Sequence, residues 1–580
     1  MAGDASVELE LEIAPSTFTA GKTYLPFTGK IRASGAAHYS WSITSGTLPA
    51  GLTLQGAQTA TVSIAGTPTE AGQFPIGLSV TDGSATKAVD VTLVITHSAL
   101  FLSDRNITGV NELFLAELGA GTASAPVQLS ASIPAGGGIT SYAWSPDGSK
   151  VLYLATQSAG GTAELWVASI ATPGTAQRVS AAGVIVKNMV WLLSGNIAAY
   201  NTSTGDAYLV DLSASTPGAS KLAVSGPASP GSLTPSPNGI AVGIWTFDFD
   251  TTVQGNLFSL QYVTWSGGSP KSSAVQDKTV NNTLQFSYDG QFSITSGFLG
   301  SVFWNLSVAP PTQGNLSDSV SPITTWSPSA QALLYFHRDS EDTITLYRGV
   351  FNGGALTPTP LLSTPFPATC VPSARPWSPD GKQVLFQCGN DLRAISNFMT
   401  AASNTDFSVL PSDFLSNAFT DVATVGWSPD SKWIALRADR NVSTSYDLTL
   451  IRWSAPGVAY KPHANSFASG VATWAFAQDS QSVALVGTIA PQSNPGLYLS
   501  RLPASGAPSS ATLVSLPTSS VQTDINWLPG SRVITYRATV SGAARLFTVP
   551  IAADGTAGSP VSINGENAGA VSSYQLAPAR

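Results

Sequence analysis

The sequence predicts an all-β chain: a small β-sandwich followed by about ten four-stranded sheets, the first of them completed by the C-terminal strand. Three observations carry this. Charged residues make up 10% of 580 positions, against ~25% in ordinary domains, while Gly (53), Pro (39) and 43% apolar residues point to short strands joined by turns. A turn phrase built on Trp-Ser-Pro-Asp-Gly recurs through the C-terminal five-sixths of the chain. Residues 571–578 align without gaps on residues 139–146, which open one copy of the repeat.

Disordered chains are charge-rich and apolar-poor, and long helices need Glu, Lys and Arg in bulk, so both classes are excluded. The formal charge of −8, from 26 basic and 34 acidic residues, leaves nothing to neutralise phosphates. Nucleic acid and anionic membrane surfaces are therefore excluded as partners. No apolar run approaches the ~20 residues that span a bilayer, so no transmembrane segment is expected. The opening Met1-Ala2-Gly3-Asp4-Ala5-Ser6 lacks the basic and then apolar order of a secretory leader; a leader has been removed or never existed. Ser, Thr, Gly and Ala stand where cytosolic enzymes carry Lys and Glu, which predicts an exported protein: periplasmic, an outer-surface lipoprotein or extracellular.

After a tail of residues 1–6, residues 7–97 alternate apolar and polar positions, as in Val91-Thr92-Leu93-Val94-Ile95, with no amphipathic helical stretch. Trp41, in Tyr39-Ser40-Trp41, supplies a large filler between two sheets. Leu48-Pro49-Ala50-Gly51-Leu52 and Gly66-Thr67-Pro68 are corners where Pro sets φ and Gly permits positive φ. With Val80-Thr81-Asp82, these landmarks resemble the "putative Ig" cadherin-like modules of large bacterial surface proteins across nearly the whole segment. The resemblance implies an Ig-like sandwich acting as a spacer or adhesion unit, here without the paired Cys of antibody domains.

From residue 98 to 580 the turn phrase returns as Trp144-Ser145-Pro146-Asp147-Gly148, Ser236-Pro237-Asn238-Gly239, Phe286-Ser287-Tyr288-Asp289-Gly290, Trp326-Ser327-Pro328, Trp377-Ser378-Pro379-Asp380-Gly381 and Trp427-Ser428-Pro429-Asp430-Ser431. Weaker echoes follow Trp191, Phe476 and Trp527. An independent tally of a later strand, from Glu112-Leu113-Phe114 and Glu164-Leu165-Trp166 to Asp447-Leu448-Thr449-Leu450, Gly496-Leu497-Tyr498-Leu499 and Arg545-Leu546-Phe547, reaches ten copies. The spacings Trp377 to Trp427 (50), Trp427 to Phe476 (49) and Phe476 to Trp527 (51) suit four strands and their turns. The phrase resembles the TolB-like, WD40-like repeats, which implies a β-propeller over residues 98–580 and leaves function open.

The first copy enters at Leu100-Phe101-Leu102 without an opening strand, and Val571-Ser572-Ser573-Tyr574-Gln575-Leu576 supplies it. Strands from opposite chain ends would then share one sheet and close a ten-bladed ring. Two smaller rings in tandem, or fewer blades with two of the copies being decorated loops, are the alternatives. Bulky residues such as Tyr142 and Trp144 alternate with small ones such as Ser141 and Ala143 along the opening strands, which fills wedge-shaped gaps between converging sheets.

Candidate sites are few. Cys370 and Cys388 flank the Ser378–Gly381 turn; pairing about Asp380 and Gly381 sets position 388 opposite about 373, near enough to Cys370 for a disulfide after adjustment. Two separate half-buried thiols are the alternative. His38, His97, His337 and His463 are scattered and show no zinc-ligand spacing, and no Gly-x-Ser-x-Gly elbow occurs. Asp248 and Asp250, in an acidic loop at 247–251, could offer oxygens to Ca²⁺, with a solvated loop as the bland reading; no other cofactor is expected. Lys187, Arg375 and Asp524 interrupt the bulky-and-small pattern near the predicted axis and are candidate ligand contacts in the channel, or local ionic contacts.

No catalytic constellation emerges. The expected role is a non-catalytic exported binding, adhesion or scaffold protein that presents a propeller face or channel to a protein or glycan at the cell envelope. A propeller polysaccharide lyase or hydrolase working through Asp248 and Asp250, and a structural subunit of a surface layer or appendage, are the alternatives.

Overall fold

The computed structural model describes residues 20–579 apart from 120–121, 124, 158, 194–195, 227–228, 251–254, 280–282, 298–299, 309–310, 316–319, 339–342, 353–354, 362–365, 368–369, 389–390, 399–406, 411–424, 440–445, 464–469, 490–491, 553 and 566–568. Every regular element among the described residues is a β-strand. They gather into two compact units: Met1–Thr108, Leu113–Gln128 and Leu513–Arg580 in one, Gly109–Glu112 and Leu129–Thr512 in the other.

In the first unit, strands Phe27–Arg32, Thr61–Gly66 and Leu52–Gln55 form one sheet of a sandwich, and Ser40–Ser45, Gly72–Thr81 and Thr86–Ser103 the other. Alternation puts Ile31, Val62 and Ile64 of the first against Leu78, Val80, Leu93 and Ile95 of the second, around a nearly buried Trp41. The indole has a partner: its Nε1 donates to the Thr59 carbonyl at 3.0 Å.

Strand Thr86–Ser103 is 18 residues long and belongs to two structures. Its first part, Thr86 to Ile95, pairs with Gly72–Thr81, and its last residues, Ala99 to Ser103, pair with the C-terminal strand Val571–Leu576. The division expected near residue 97 is therefore not a linker. Apolar residues continue through Ile95, Ala99, Leu100 and Phe101, all fully buried, so the backbone stays extended from the sandwich into the next sheet.

The C-terminal pairing sets Tyr574 opposite Phe101, with an irregularity between Val571 and Ser573. Strand Gly138–Trp144 sets Tyr142 opposite Tyr153, with the same irregularity between Ile139 and Ser141. The aligned segments thus share even their bulge. Tyr574 lies in a core with Phe101, Phe114, Leu528, Val533 and Leu546. Its hydroxyl accepts from Asn526 Nδ2 at 2.9 Å and has two carbonyls to donate to, Asp524 at 2.7 Å and Thr535 at 3.0 Å. Burial pushes that hydroxyl's pKa up, so it stays protonated. Arg537 pairs with the Asp524 carboxylate and donates to the carbonyls of Val571 and Ser572, tying the terminal strand to its neighbour.

A second set of contacts joins the sandwich to this sheet and, at Gly530, to the sheet that contains Val533–Val540. Lys22 Nζ meets Glu117 at 2.6 Å, and Glu117 also accepts from the hydroxyls of Thr96 and Ser98. At Gly530, φ is +64° and an added Cβ would lie 1.9 Å from the Thr69 carbonyl oxygen, so only glycine permits this approach. His97, fully buried, has Nε2 3.1 Å from the Ala577 carbonyl, to which it donates, and Nδ1 2.6 Å from the Thr23 hydroxyl, from which it accepts.

The second unit repeats one plan. Strands Gly138–Trp144, Lys150–Thr156, Ala163–Ser169 and Gln177–Arg178 pair in chain order, antiparallel throughout. The same order recurs in the sheets opened by Val186–Trp191, Ser229–Pro235, Thr283–Phe286, Val320–Trp326, Cys370–Trp377, Gly426–Trp427 and Val471–Phe476. These are sheets of the kind that form propeller blades. Successive sheets pack face to face, as where Leu152 and Leu165 meet Trp191 and Ala198. Two of the phrase tryptophans also reach back: Trp191 Nε1 donates to the Ala143 carbonyl at 3.1 Å, and Trp326 Nε1 to that of Gln285 at 3.3 Å, whereas the indole nitrogens of Trp144, Trp377 and Trp427 are buried without such a bond, so it is ring volume that these positions share.

Two local expectations change. Asp248 and Asp250 are not in a loop; they end strand Ala241–Asp250, which pairs residue for residue with Gly255 to Thr264, because Phe247 and Phe249 extend the alternation into a long hairpin. Cys388 pairs with Cys370 itself rather than facing position 373, and the two are disulfide-bonded with Cα atoms 4.0 Å apart. The difference arises between Pro372 and Trp377, where the register shifts and the opening strand carries extra residues.

His97 yields a pH prediction. Desolvation lowers its pKa from 6.5 to about 4, with the Ala577 carbonyl pulling weakly the other way. A depressed folded value means that its contribution is complete above pH 6.5 and is lost as pH falls toward 4, where the unfolded chain takes the proton first. The expected loss across that window is about 3 kcal/mol. Urea unfolding at pH 7 and pH 4.5 should show this extra acid sensitivity in the parent and not in His97→Gln; equal slopes would contradict it.

Candidate functional site: turns, clasps and an inter-sheet cleft

The recurring phrase is a structural device. In Ser378-Pro379-Asp380-Gly381 the buried Ser378 hydroxyl donates to Asp380 Oδ1 at 2.6 Å and accepts the Gln383 amide at 2.9 Å, closing the turn between first and second strands. The same arrangement is made by Ser145 with Asp147, Ser287 with Asp289, Ser428 with Asp430, and Ser236 with Asn238. The residue after the acid takes a left-handed φ, +70° at Gly381. Ser431 and Ser480 fill that position at +60° and +57°. Their hydroxyls have a partner that glycine would lack: Ser431 Oγ accepts the Asp380 amide at 3.2 Å and Ser480 Oγ the Asp430 amide at 3.0 Å. Neighbouring turns are thereby joined sideways.

A second device was present in the sequence but unread. An acid at the start of the third strand anchors the chain beyond the fourth: Glu112, before Leu113, accepts the Ile133 amide at 3.1 Å, Glu164, before Leu165, that of Gly183 at 2.7 Å and Asp206, before Ala207, that of Gly226 at 2.7 Å. At Asp447, 3% exposed, the partner is Lys461 Nζ at 2.6 Å, with His463 Nε2 at 3.9 Å. Burial of a carboxylate is tolerable only with such partners.

A third device clasps one sheet to the next at three places in the repeat. Lys150 donates to the carbonyls of Leu212 and Ala214 in the following sheet, Arg348 to that of Phe398 at 2.6 Å, and Arg452 to those of Pro503 (3.0 Å), Gly506 (2.7 Å) and Ala504. Arg452 also stacks over Trp433 at 4.3 Å. These clasps wall two clefts at the same place in the repeat. One, of about 230 Å³, lies beside Lys150, Ser169 and Ser215; the other, of about 830 Å³, lies beside Lys432, Arg452, Arg501 and Ser509. The larger falls within the size range of small-molecule sites.

Of the residues singled out in the sequence, each described one has a local setting of its own. Lys187 is exposed, at the register irregularity between Val186 and Asn188. Asp524 faces Arg537, an intramolecular ion pair that fastens the terminal strand. The side chains of Arg375, Asp248, Asp250 and His337 lie outside the described residues. Among the described residues no three His, Cys, Asp or Glu side chains converge as a metal site would require. The larger cleft was missed, because its two arginines lie just past the strand cores that the repeat tally matched.

Removing one turn clasp tests the first device. Partial burial alone would raise the Asp380 pKa, but the Ser378 hydroxyl, the Lys382 amide and the Lys382 charge together outweigh it and hold it below 3.8. Its contribution is complete above that value and is lost as pH falls through the lower folded one. Ser378→Ala should cost about 1–3 kcal/mol at neutral pH by urea unfolding, and less once acid protonates Asp380 in both proteins. A neutral substitution would remove the assigned role.

Residues 9–96 match the family described as "Putative Ig domain". No curated protein matches the chain. Among solved structures, similarity is to a eukaryotic initiation factor (12% identity, 72% of this chain and 96% of that one, TM-score 0.40), to TolB from Acinetobacter baumannii (16%, 58% and 83%, 0.25) and to the tricorn protease (9%, 87% and 57%, 0.31).

Proposed function

We propose that this chain is a non-catalytic, exported binding scaffold. In this reading ten four-stranded sheets close into a single ring through the C-terminal strand, and the Ig-like sandwich is mounted on the closing sheet. A face or channel of the ring meets a protein or glycan of the cell envelope. The observation that supports it best is the shared strand Thr86–Ser103, which is part of the sandwich core and of the sheet completed by Val571–Leu576. A module held by a continuous strand, by Glu117 and by the close approach at Gly530 is a fixed mount rather than a tethered spacer. The described acids lend the reading support as well: those of the turns and third strands are engaged in hydrogen bonds that hold backbone, which suits a framework.

The test is binding without turnover. The purified full chain, presented to arrayed envelope glycans and envelope proteins, should retain a partner with a dissociation constant on the order of 1 μM, and mass spectrometry of the recovered partner should find it unaltered. Cleavage or elimination products from a bound polysaccharide would replace this reading with that of an enzyme.

A further inference from the structure

The repeat supplies its own control for what is unusual in the larger cleft. Position by position, the end of the third strand carries Ser169, which lines the smaller cleft, in one sheet and Asp211 in the next; the equivalent residues, both lining the larger cleft, are Arg452 and Arg501. The register defines this equivalence: Lys150 pairs with Ser169 and Trp433 with Arg452, while Ile197 pairs with Asp211 and Ser482 with Arg501. A neutral and an acidic position have become two basic ones, in a chain whose net charge is −8.

The groups in the cleft are not equally available. Arg452 is committed to three carbonyls and to the face of Trp433, so it builds the wall and Trp433 offers no open stacking surface. Asp430 and Asp479 are the turn acids that each sheet of this type carries; Asp430 accepts from Ser428 and Lys432, and Asp479 from the Gln481 amide. Lys432 is 75% exposed and its ammonium reaches Asp430 at 3.2 Å with donors to spare. Arg501 is exposed and has no ion-pair partner among the described residues. The Ser509 hydroxyl accepts the Arg501 amide at 2.9 Å, which fixes the loop that forms the opposite rim.

We infer that the cleft between the sheets opened by Gly426–Trp427 and Val471–Phe476 is an oxyanion site, in which Arg501 and Lys432 take a carboxylate or phosphate group. A planar guanidinium matches the two oxygens of such a group, and the Lys432 ammonium, which lines the same cleft, adds a point charge. This deepens the binding reading and rests on it, but it does not depend on ring closure, since every residue involved belongs to one compact unit. The oxyanion is either a free small molecule or an acidic group carried on a larger chain.

Isothermal titration at constant ionic strength, with citrate, inorganic phosphate and a hexaglutamate peptide as probes, tests the assignment on the full chain. At least one probe is expected to bind saturably with a dissociation constant on the order of 1 mM or below. Tighter binding of the peptide than of citrate or phosphate assigns a chain-borne group; the reverse assigns a free anion. Arg501→Gln, at an exposed strand end, should keep the parent's melting temperature and weaken binding at least about tenfold, and Lys432→Gln should weaken it less. No saturable binding by any probe, or unchanged binding in Arg501→Gln, overturns the oxyanion site and leaves the scaffold reading standing. Chemical conversion of a bound probe would overturn the scaffold reading instead.

Discussion

The antiparallel pairing of Val571–Leu576 with the end of strand Thr86–Ser103 is the constraint on which the rest depends. Without it, the end of that strand would be an unpaired edge carrying the apolar run Ala99-Leu100-Phe101-Leu102, all buried in the paired structure. The pairing is held by more than ladder hydrogen bonds. Tyr574 brings a large buried ring and a hydroxyl with three polar neighbours, and Arg537, anchored by Asp524, holds the backbone at the bulge. Because the two segments are more than 460 residues apart in sequence, the contact closes a long loop and constrains much of the chain.

The same strand explains why the Ig-like sandwich is unlike a bead on a string. Successive stretches of that one strand enter two cores: Val91, Leu93 and Ile95 pack in the sandwich with Trp41, and Ala99 and Phe101 pack in the next core with Tyr574. His97 sits between them as a neutral, desolvated hydrogen-bond relay from Thr23 to Ala577. A mobile spacer would need a polar, Gly-rich or Pro-rich connection at this point; the chain has Ile95-Thr96-His97-Ser98-Ala99.

Much of the fold was legible because repetition averages out local ambiguity. The alignment of 571–578 on 139–146 anticipated a pairing that the structure realises with matching bulges, and the turn phrase marked sheet after sheet because Ser and Asp have fixed jobs in closing it. What was not legible depends on register. The shift between Pro372 and Trp377 moved Cys388 opposite Cys370, and no composition rule foretells how many residues a bulge absorbs. The long hairpin ending at Asp250 was read as a loop because its acids outweighed the alternation of Phe247 and Phe249. The larger cleft depends on where two strands end relative to a loop from the next sheet, a relation between copies that a scan along one copy does not see.

Hydrogen–deuterium exchange of the C-terminal strand tests the central pairing most directly. If the two ends of the chain share a sheet, the paired amides between Val571 and Leu576 should exchange as slowly as those between Ala99 and Ser103, and both should lose protection together on denaturation. Exchange of the C-terminal amides at the rate of an unstructured peptide, with the rest of the chain still protected, would contradict the account.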